Sequence, residues 1–221
     1  MRQWKQSNIK VMGKINRTKL LDRQHDRRDA RLFIIATEGA VTEKQYFEMF
    51  GSSRIKVAVL PTGSENQSAP DRVLDRLNSF KEQFDLHEDD MLWLVLDVDR
   101  WGDEKLSVVC REAKQKNYHL AISNPCFEVW LCLHCDELNL EDQTCKQFKA
   151  RLRKILGSYN GSNLDLSRYE PNLSIAVERA KILHPDLQQN WPPTIGTHVY
   201  RLVEILLQLA VEDRKMLISS F

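Results

Sequence analysis

Four short apolar runs punctuate the chain: Arg31-Leu32-Phe33-Ile34-Ile35-Ala36, Ile55-Lys56-Val57-Ala58-Val59-Leu60, Met91-Leu92-Trp93-Leu94-Val95-Leu96 and Tyr118-His119-Leu120-Ala121-Ile122-Ser123. Their length and β-branched content predict strands. The Met91–Leu96 run has no polar alternation, which predicts a strand covered on both faces, as in a parallel sheet. Between the runs, apolar positions recur at helical spacing. Tyr46, Phe47, Met49 and Phe50 follow Thr42; Val73, Leu74, Leu77, Phe80 and Phe84 follow Pro70; Leu106, Val109, Cys110 and Ala113 follow Asp103; Trp130, Leu131 and Leu133 follow Pro125. Thr42 and Asp103 suit helix caps, and Pro70 and Pro125 suit helix starts. Strands alternating with helices predict an α/β fold, a mostly parallel sheet of about four strands flanked by helices.

Beyond the fourth strand the periodicity is helical throughout. Thr144–Leu156 presents Phe148, Leu152, Ile155 and Leu156; Leu173–Leu183 presents Ile175, Val177, Ala180 and Leu183; His198–Lys215 presents Val199, Leu202, Ile205, Leu206 and Leu209. The loop Gly157–Pro171 and the turn Asn190–Gly196 separate them. Three parts are therefore expected: an arm over residues 1–30, an α/β core over 31–140 and a helical C-terminal extension over 141–221.

Composition narrows the class. Hydrophobic residues make up 42% and charged residues 29%, the balance of a folded globular protein. No apolar stretch approaches the roughly 20 residues that span a bilayer, and the first residues lack a secretory h-region. A cytoplasmic protein without membrane contact is expected. The net charge of +1 conceals an asymmetry: residues 1–31 hold ten Lys or Arg against three Asp, and the remainder balances at −6. A basic arm ahead of an acidic body suits a polyanionic partner such as nucleic acid. The five cysteines point away from disulfides in a reducing compartment. Cys132 and Cys135 form a C-x-x-C around His134, but no second pair exists to complete a zinc site, so a structural role is expected.

The candidate chemistry sits at strand ends. Met91–Leu96 runs into Asp97-Val98-Asp99, two carboxylates on one side of an extended chain. Such acids repel each other unless a proton or a hard cation such as Mg²⁺ lies between them. Glu38 ends the first strand beside Gly39, where open α/β sheets build their sites. Glu128 falls in the first turn of the helix after the fourth strand. Glu43 falls in the first turn of the preceding Thr42 helix, where a carboxylate also suits the dipole.

The surrounding words are more specific. Thr37-Glu38-Gly39-x-x-Thr42-Glu43-x-x-Tyr46-Phe47, Leu96-Asp97-Val98-Asp99 and Ser123-Asn124-Pro125-Cys126-Phe127-Glu128-x-Trp130-Leu131-x-Leu133-His134 resemble the RloB-like family over about residues 31–210. Ala180-Lys181 and Pro193-Thr194 ahead of His198 are consistent with it. The resemblance implies a Toprim-like fold, Mg²⁺ or Mn²⁺ as cofactor, and a metal-dependent nuclease of bacterial defence against phage that acts with an AAA- or ABC-type ATPase. It implies a metal held by Glu38, Asp97 and Asp99. Glu43 and Glu128 match recurrent acids and are candidates for a second ion, and Glu128 is also a catalytic candidate. Arg27, Arg28, Arg31 and Arg100 are candidate phosphate contacts. Arg100 is a departure, standing where a further acid or small polar residue would favour a second metal.

Two other readings compete. A strand ending in D-x-D also opens phosphatases of the haloacid dehalogenase class, with Asp97 as nucleophile; there the motif comes early and is followed by Thr or Val rather than Gly102-Asp103. A Toprim-like fold also serves as a non-catalytic nucleic-acid-binding or sensor subunit.

Overall fold

Each of the four apolar runs forms a strand of one sheet, and a fifth, very short strand joins it from the C-terminal part. The computed structural model describes residues 15–16, 30–63, 68–99, 101–138, 141–183 and 188–219. In chain order its elements are β1 (Ile15–Asn16), β2 (Arg31–Thr37), α1 (Thr42–Glu48), β3 (Ile55–Leu60), α2 (Pro70–Gln83), β4 (Phe84–Asp85), β5 (Met91–Asp97), α3 (Asp103–Gln115), β6 (His119–Asn124), α4 (Glu128–Cys135), α5 (Cys145–Leu156), α6 (Leu173–Leu183), β7 (Gly196–Thr197) and α7 (Val199–Ser219). The sheet order is β3-β2-β5-β6-β7; the first four strands run parallel and β7 runs antiparallel to β6. β1 and β4 form a separate two-residue parallel pair. The expected α/β architecture is thus present, with one strand more in the main sheet than the sequence pattern predicts and the β1–β4 pair besides. Gly196–Thr197 reads as the end of a Pro-rich turn, and only its pairing with Ser123 and Asn124 makes it a strand.

Alternation along the strands divides the core in two. Phe33 and Ile35 of β2, Trp93 and Val95 of β5 and Ala121 of β6 face one side, with Tyr46 and Phe47 of α1 and nearly all of α4. Leu32, Ile34, Ala36, Leu92, Leu94, Leu96, Leu120 and Ile122 face the other, against α2 and α3. Both faces are covered, so the strands are apolar on both sides. The first core continues outward through Phe148, Leu152, Ala176, Val177, Leu202 and Leu206 of the C-terminal helices. Helix α4 is therefore buried all round, which its unbroken apolar sequence requires. Ile155 and Ile175, expected on core faces, are 37% and 47% exposed. Their helices form the outer layer and cover only one stripe each, so apolar residues beside that stripe stay in solvent.

Two helix starts differ from expectation. Thr42 is the first residue of α1 rather than its cap, and its hydroxyl donates to Gly161 O at 2.9 Å. Asp103 likewise begins α3, after Gly102. Thr144 does cap α5, through a reciprocal box with Gln147. Among the cysteines, Cys126 and Cys145 are paired as a disulfide with Cα atoms 5.8 Å apart, a correction to the all-thiol expectation. The tertiary fold brings the head of α5 onto the loop before α4, a proximity that a separation of 19 residues does not reveal. Cys132 and His134 are buried in α4 as core residues. His134 Nδ1 donates to Trp130 O at 2.9 Å, which leaves Nε2 to accept from the Tyr46 hydroxyl at 3.0 Å. No described helix is long and apolar enough to cross a membrane.

The lower edge of the sheet depends on Asp90. It is 8% exposed and accepts from Leu32 N at 3.0 Å and His87 N at 2.8 Å. Asp90→Ala leaves both amides without this acceptor; equilibrium urea unfolding should show a loss of about 2–3 kcal/mol.

Candidate functional site

β2 and β5 are neighbours with Thr37 opposite Val95, so the residue after β2 arrives level with Leu96, one short of the last residue of β5. Chain direction also changes here: β3 lies on one side of β2, and β5 and β6 lie on the other. That is the switch point at which open α/β sheets place their ligands. Glu38 N donates to Val95 O at 3.0 Å, continuing the ladder one residue past the strand. Its carboxylate then turns across the gap: Oε2 accepts from Asp97 N at 3.1 Å and Oε1 from the Trp101 indole N–H at 3.0 Å. Glu38 is 7% exposed, so these bonds hold a buried carboxylate in one orientation.

Asp97 has the same strand parity as Trp93 and Val95, the face covered by α1 and α4. Those helices bring the next two acids. Glu43 is the second residue of α1 and Glu128 the first of α4; they are 5% and 7% exposed. Glu43 Oε1 accepts from Gly39 N at 3.2 Å. A Cβ at position 39 would overlap the Glu43 carboxylate, so the glycine is required for this close approach. Glu128 Oε1 accepts from the Tyr159 hydroxyl at 3.0 Å and lies 3.4 Å from Lys149 Nζ. Asp99 stands farther out. It is exposed on the turn after β5, its amide donates to Pro125 O at 3.1 Å, and its Oδ2 lies 3.1 Å from Cys145 Sγ.

The electrostatics follow from this convergence. Burial, then repulsion from Glu128 and Glu38, pushes the Glu43 carboxyl up to about 7. Asp97 is held well above the usual carboxylate range by desolvation first, then by Glu43, Glu38, Glu128 and Asp99. Burial and the adjacent Glu128 also raise the Tyr159 hydroxyl, which keeps its proton and remains a donor. Five acids thus share one electrostatic environment at the carboxyl rim of the sheet.

The predicted residues separate cleanly by position. Glu38, Glu43, Asp97 and Glu128 come together, with Asp99 at the edge. Arg31 lies at the opposite end of β2; seven residues at about 3.3 Å each put it roughly 20 Å from the rim. Arg27, Arg28 and Arg100 lie outside the described residues. The sequence pattern misses Trp101, Lys149 and Tyr159. Trp101 is close enough to the D-x-D to be suspected, but Tyr159 sits in an aperiodic loop and Lys149 on the solvent side of α5, where nothing local marks either.

The RloB-like protein family matches residues 33–206, from β2 into α7, with all five acids inside the match. The chain belongs to the RloB-like family. No curated protein and no solved structure matches it. In this RloB-like chain the donor set at the rim is all carboxylate oxygen, the chemistry that Mg²⁺ and Mn²⁺ take. Among the described residues, no three His, Cys, Asp or Glu side chains are already arranged to hold a metal ion. The carboxylates instead accept hydrogen bonds from Asp97 N, the Trp101 indole, Gly39 N and Tyr159. The donor chemistry fits a hard cation, and side-chain rotation would be needed to bring the oxygens to one point.

The raised carboxyls set a sign for pH. Between the ordinary Glu value of 4.5 and about 7, folded Glu43 keeps a proton that the unfolded chain has released. Stability conferred at low pH is therefore lost as pH rises through that window. Thermal unfolding in EDTA should give a lower Tm at pH 8 than at pH 5, and Glu43→Gln should narrow the difference.

Proposed function

We propose that this RloB-like chain hydrolyses phosphodiesters at the acid-lined rim of the β2–β5 switch point, as a nuclease of anti-phage defence working with an AAA- or ABC-type ATPase. The supporting observation is the convergence of Glu38, Glu43, Asp97 and Glu128, with Asp99 beside them, on one edge of a parallel sheet. The family likeness supports the Toprim-like character of the fold and the defence role; the chemistry is argued from the residues. Asp97 and Asp99, with Glu38, would hold Mg²⁺ or Mn²⁺, and Glu43 and Glu128 would complete the shell or hold a second ion. A divalent ion there supplies charge neutralisation at the phosphoryl oxygens and a hydroxide-like nucleophile near neutral pH.

The chain's own groups divide the remaining work. Glu38, accepting a hydrogen bond through each oxygen, is fixed in orientation and ties the strand ends together around it. Where Glu128 rather than Glu43 serves the ion, Glu43, its carboxyl pushed up to about 7 by burial, holds a proton near neutrality. Its Oε1 accepts from Gly39 N, which leaves Oε2 to carry that proton and exchange it with the attacking water or the leaving oxygen. Lys149, exposed and paired with Glu128, is a cation at the mouth of an acidic site and would receive the phosphate backbone.

A second reading has its own support. With the carboxylates engaged by internal donors, the same site suits a binding or sensor subunit in which turnover has been lost. A cleavage assay separates the two. Plasmid, linear DNA and RNA are incubated with Mg²⁺ or Mn²⁺, with and without the ATPase. Asp97→Asn and Glu38→Gln should each lower the rate by about 10²-fold or more. Activity that survives both substitutions would sink the site, and wild-type inactivity on all substrates would favour the binding subunit.

Trp101→Phe isolates the indole N–H while keeping the ring. It should weaken Mn²⁺ binding by about 10–100-fold, read by electron paramagnetic resonance titration, with little change in Tm. An unchanged affinity would remove Trp101 as a positioning residue.

A further inference from the structure

The loop between α5 and α6 is bound to the same helix that delivers Glu43. Thr42 Oγ1 donates to Gly161 O at 2.9 Å, Gln45 Nε2 donates to Gly161 O at 3.3 Å, and Leu164 N donates to Gln45 Oε1 at 3.0 Å. Thr42 and Gln45 flank Glu43 in α1, so acid and loop are held in one frame. Behind the loop is a cavity of about 240 Å³, lined among others by Tyr159, Tyr169, Leu164, Asn160, Asn163 and Arg168. Tyr159 belongs to both sites. Its ring lines the cavity while its hydroxyl donates to Glu128 Oε1 at 3.0 Å.

We propose that this cavity takes a single unpaired nucleobase whose phosphate lies over the acid cluster, an inference that rests on the phosphodiester reading above. The lining has the composition that a base requires. Tyr159 and Leu164 offer an aromatic and an apolar wall for the base face; the exposed Asn163 amide offers a donor and an acceptor for its edge, and Asn160, whose Oδ1 accepts from Ser162 N at 3.0 Å, offers its amide N–H groups. Arg168, whose Nε lies 3.4 Å from Oδ2 of Asp165, adds a planar guanidinium to the lining, and Asp165 lines the cavity beside it. The volume is below the about 300–1,000 Å³ of drug-sized ligand sites, which suits one heterocycle. Tyr159 joins the two places, lining the cavity and donating its hydroxyl to Glu128, so one residue separates the base site from the acid cluster. A base reaching the cavity must leave a helical stack, so single strands are the preferred substrate class.

The test reads binding without turnover. Fluorescence anisotropy in Ca²⁺, a hard cation that takes oxygen ligands, compares a labelled single-stranded oligonucleotide, as RNA and as DNA, with its duplex, and gel analysis of the recovered strand verifies that it is uncut. Tyr159→Leu should weaken single-strand binding by roughly 10-fold, within the range for losing one base–aromatic contact. Asn163→Ala, at an exposed position, should weaken it by a smaller factor, about 3-fold. Tyr159→Phe, which keeps the ring and loses only the donor to Glu128, should lose less single-strand affinity than Tyr159→Leu, and duplex affinity should not move. Nucleoside monophosphates test the source of the base. Weak competition identifies a strand as occupant; full competition that Tyr159→Leu abolishes keeps the cavity and makes a free nucleotide its occupant. Unchanged single-strand affinity in both variants, or an equal loss on the duplex, overturns the site. A protein that binds through the cavity but cleaves nothing fails the phosphodiester reading alone. Asp97-dependent cleavage with normal binding by the variants fails the cavity alone.

Discussion

Because β2 and β5 run parallel with Thr37 opposite Val95, β5 runs two residues past the end of β2, and Glu38 is delivered to the amide of Asp97. That hydrogen bond joins the two sides of the sheet's switch point. It forms only if the register is held, and the register is held by alternation: slipping either strand by one residue would turn Phe33, Ile35, Trp93 and Val95 toward the wrong core. The geometry of the acids is therefore a consequence of how the apolar residues pack beneath them.

The same packing creates an electrostatic cost. Helices α1 and α4 cover one face and start at the rim, so the acids in their first turns, Glu43 and Glu128, lie against Asp97. Helix dipoles favour carboxylates at those positions, but burial and mutual repulsion oppose their ionisation. Donors from several directions offset part of that cost: Gly39 N on Glu43, the Asp97 amide and Trp101 indole on Glu38, and Tyr159 and Lys149 on Glu128. Two of these donors come from the C-terminal half of the chain. The helical extension is thus more than a cover for α4. It shares the core of that face, supplies the antiparallel strand β7, and seats the loop bearing Tyr159 on α1.

Much of the fold is legible in the sequence because both relevant periodicities are local. Unbroken apolar runs mark β2, β5 and β6, and helical spacing marks α2, α3 and α6 within a residue or two of their observed ends. Glu38, Asp97 and Glu128 are legible for the same reason: each follows directly from a recognisable strand or helix boundary. What fails locally fails for a physical cause. Gly196–Thr197 has no strand pattern of its own and becomes one through β6; Ile155 and Ile175 have core-like spacing but lie in an outer layer. Cys126 and Cys145 meet only because α5 folds back on the loop before α4.

For this protein, then, the chain's hydrophobic pattern by itself determined an α/β sheet with acids at its strand ends, since strand parity and helix starts are fixed over a few residues. Tertiary structure alone decided which acids share an environment and which cation stands far away. Strand order put Glu38 beside Asp97, while the length of β2 placed Arg31 at the opposite edge. Only the folded chain could bring Trp101, Lys149 and Tyr159 to that rim, because hydrogen bonds between distant segments depend on packing that no local pattern encodes.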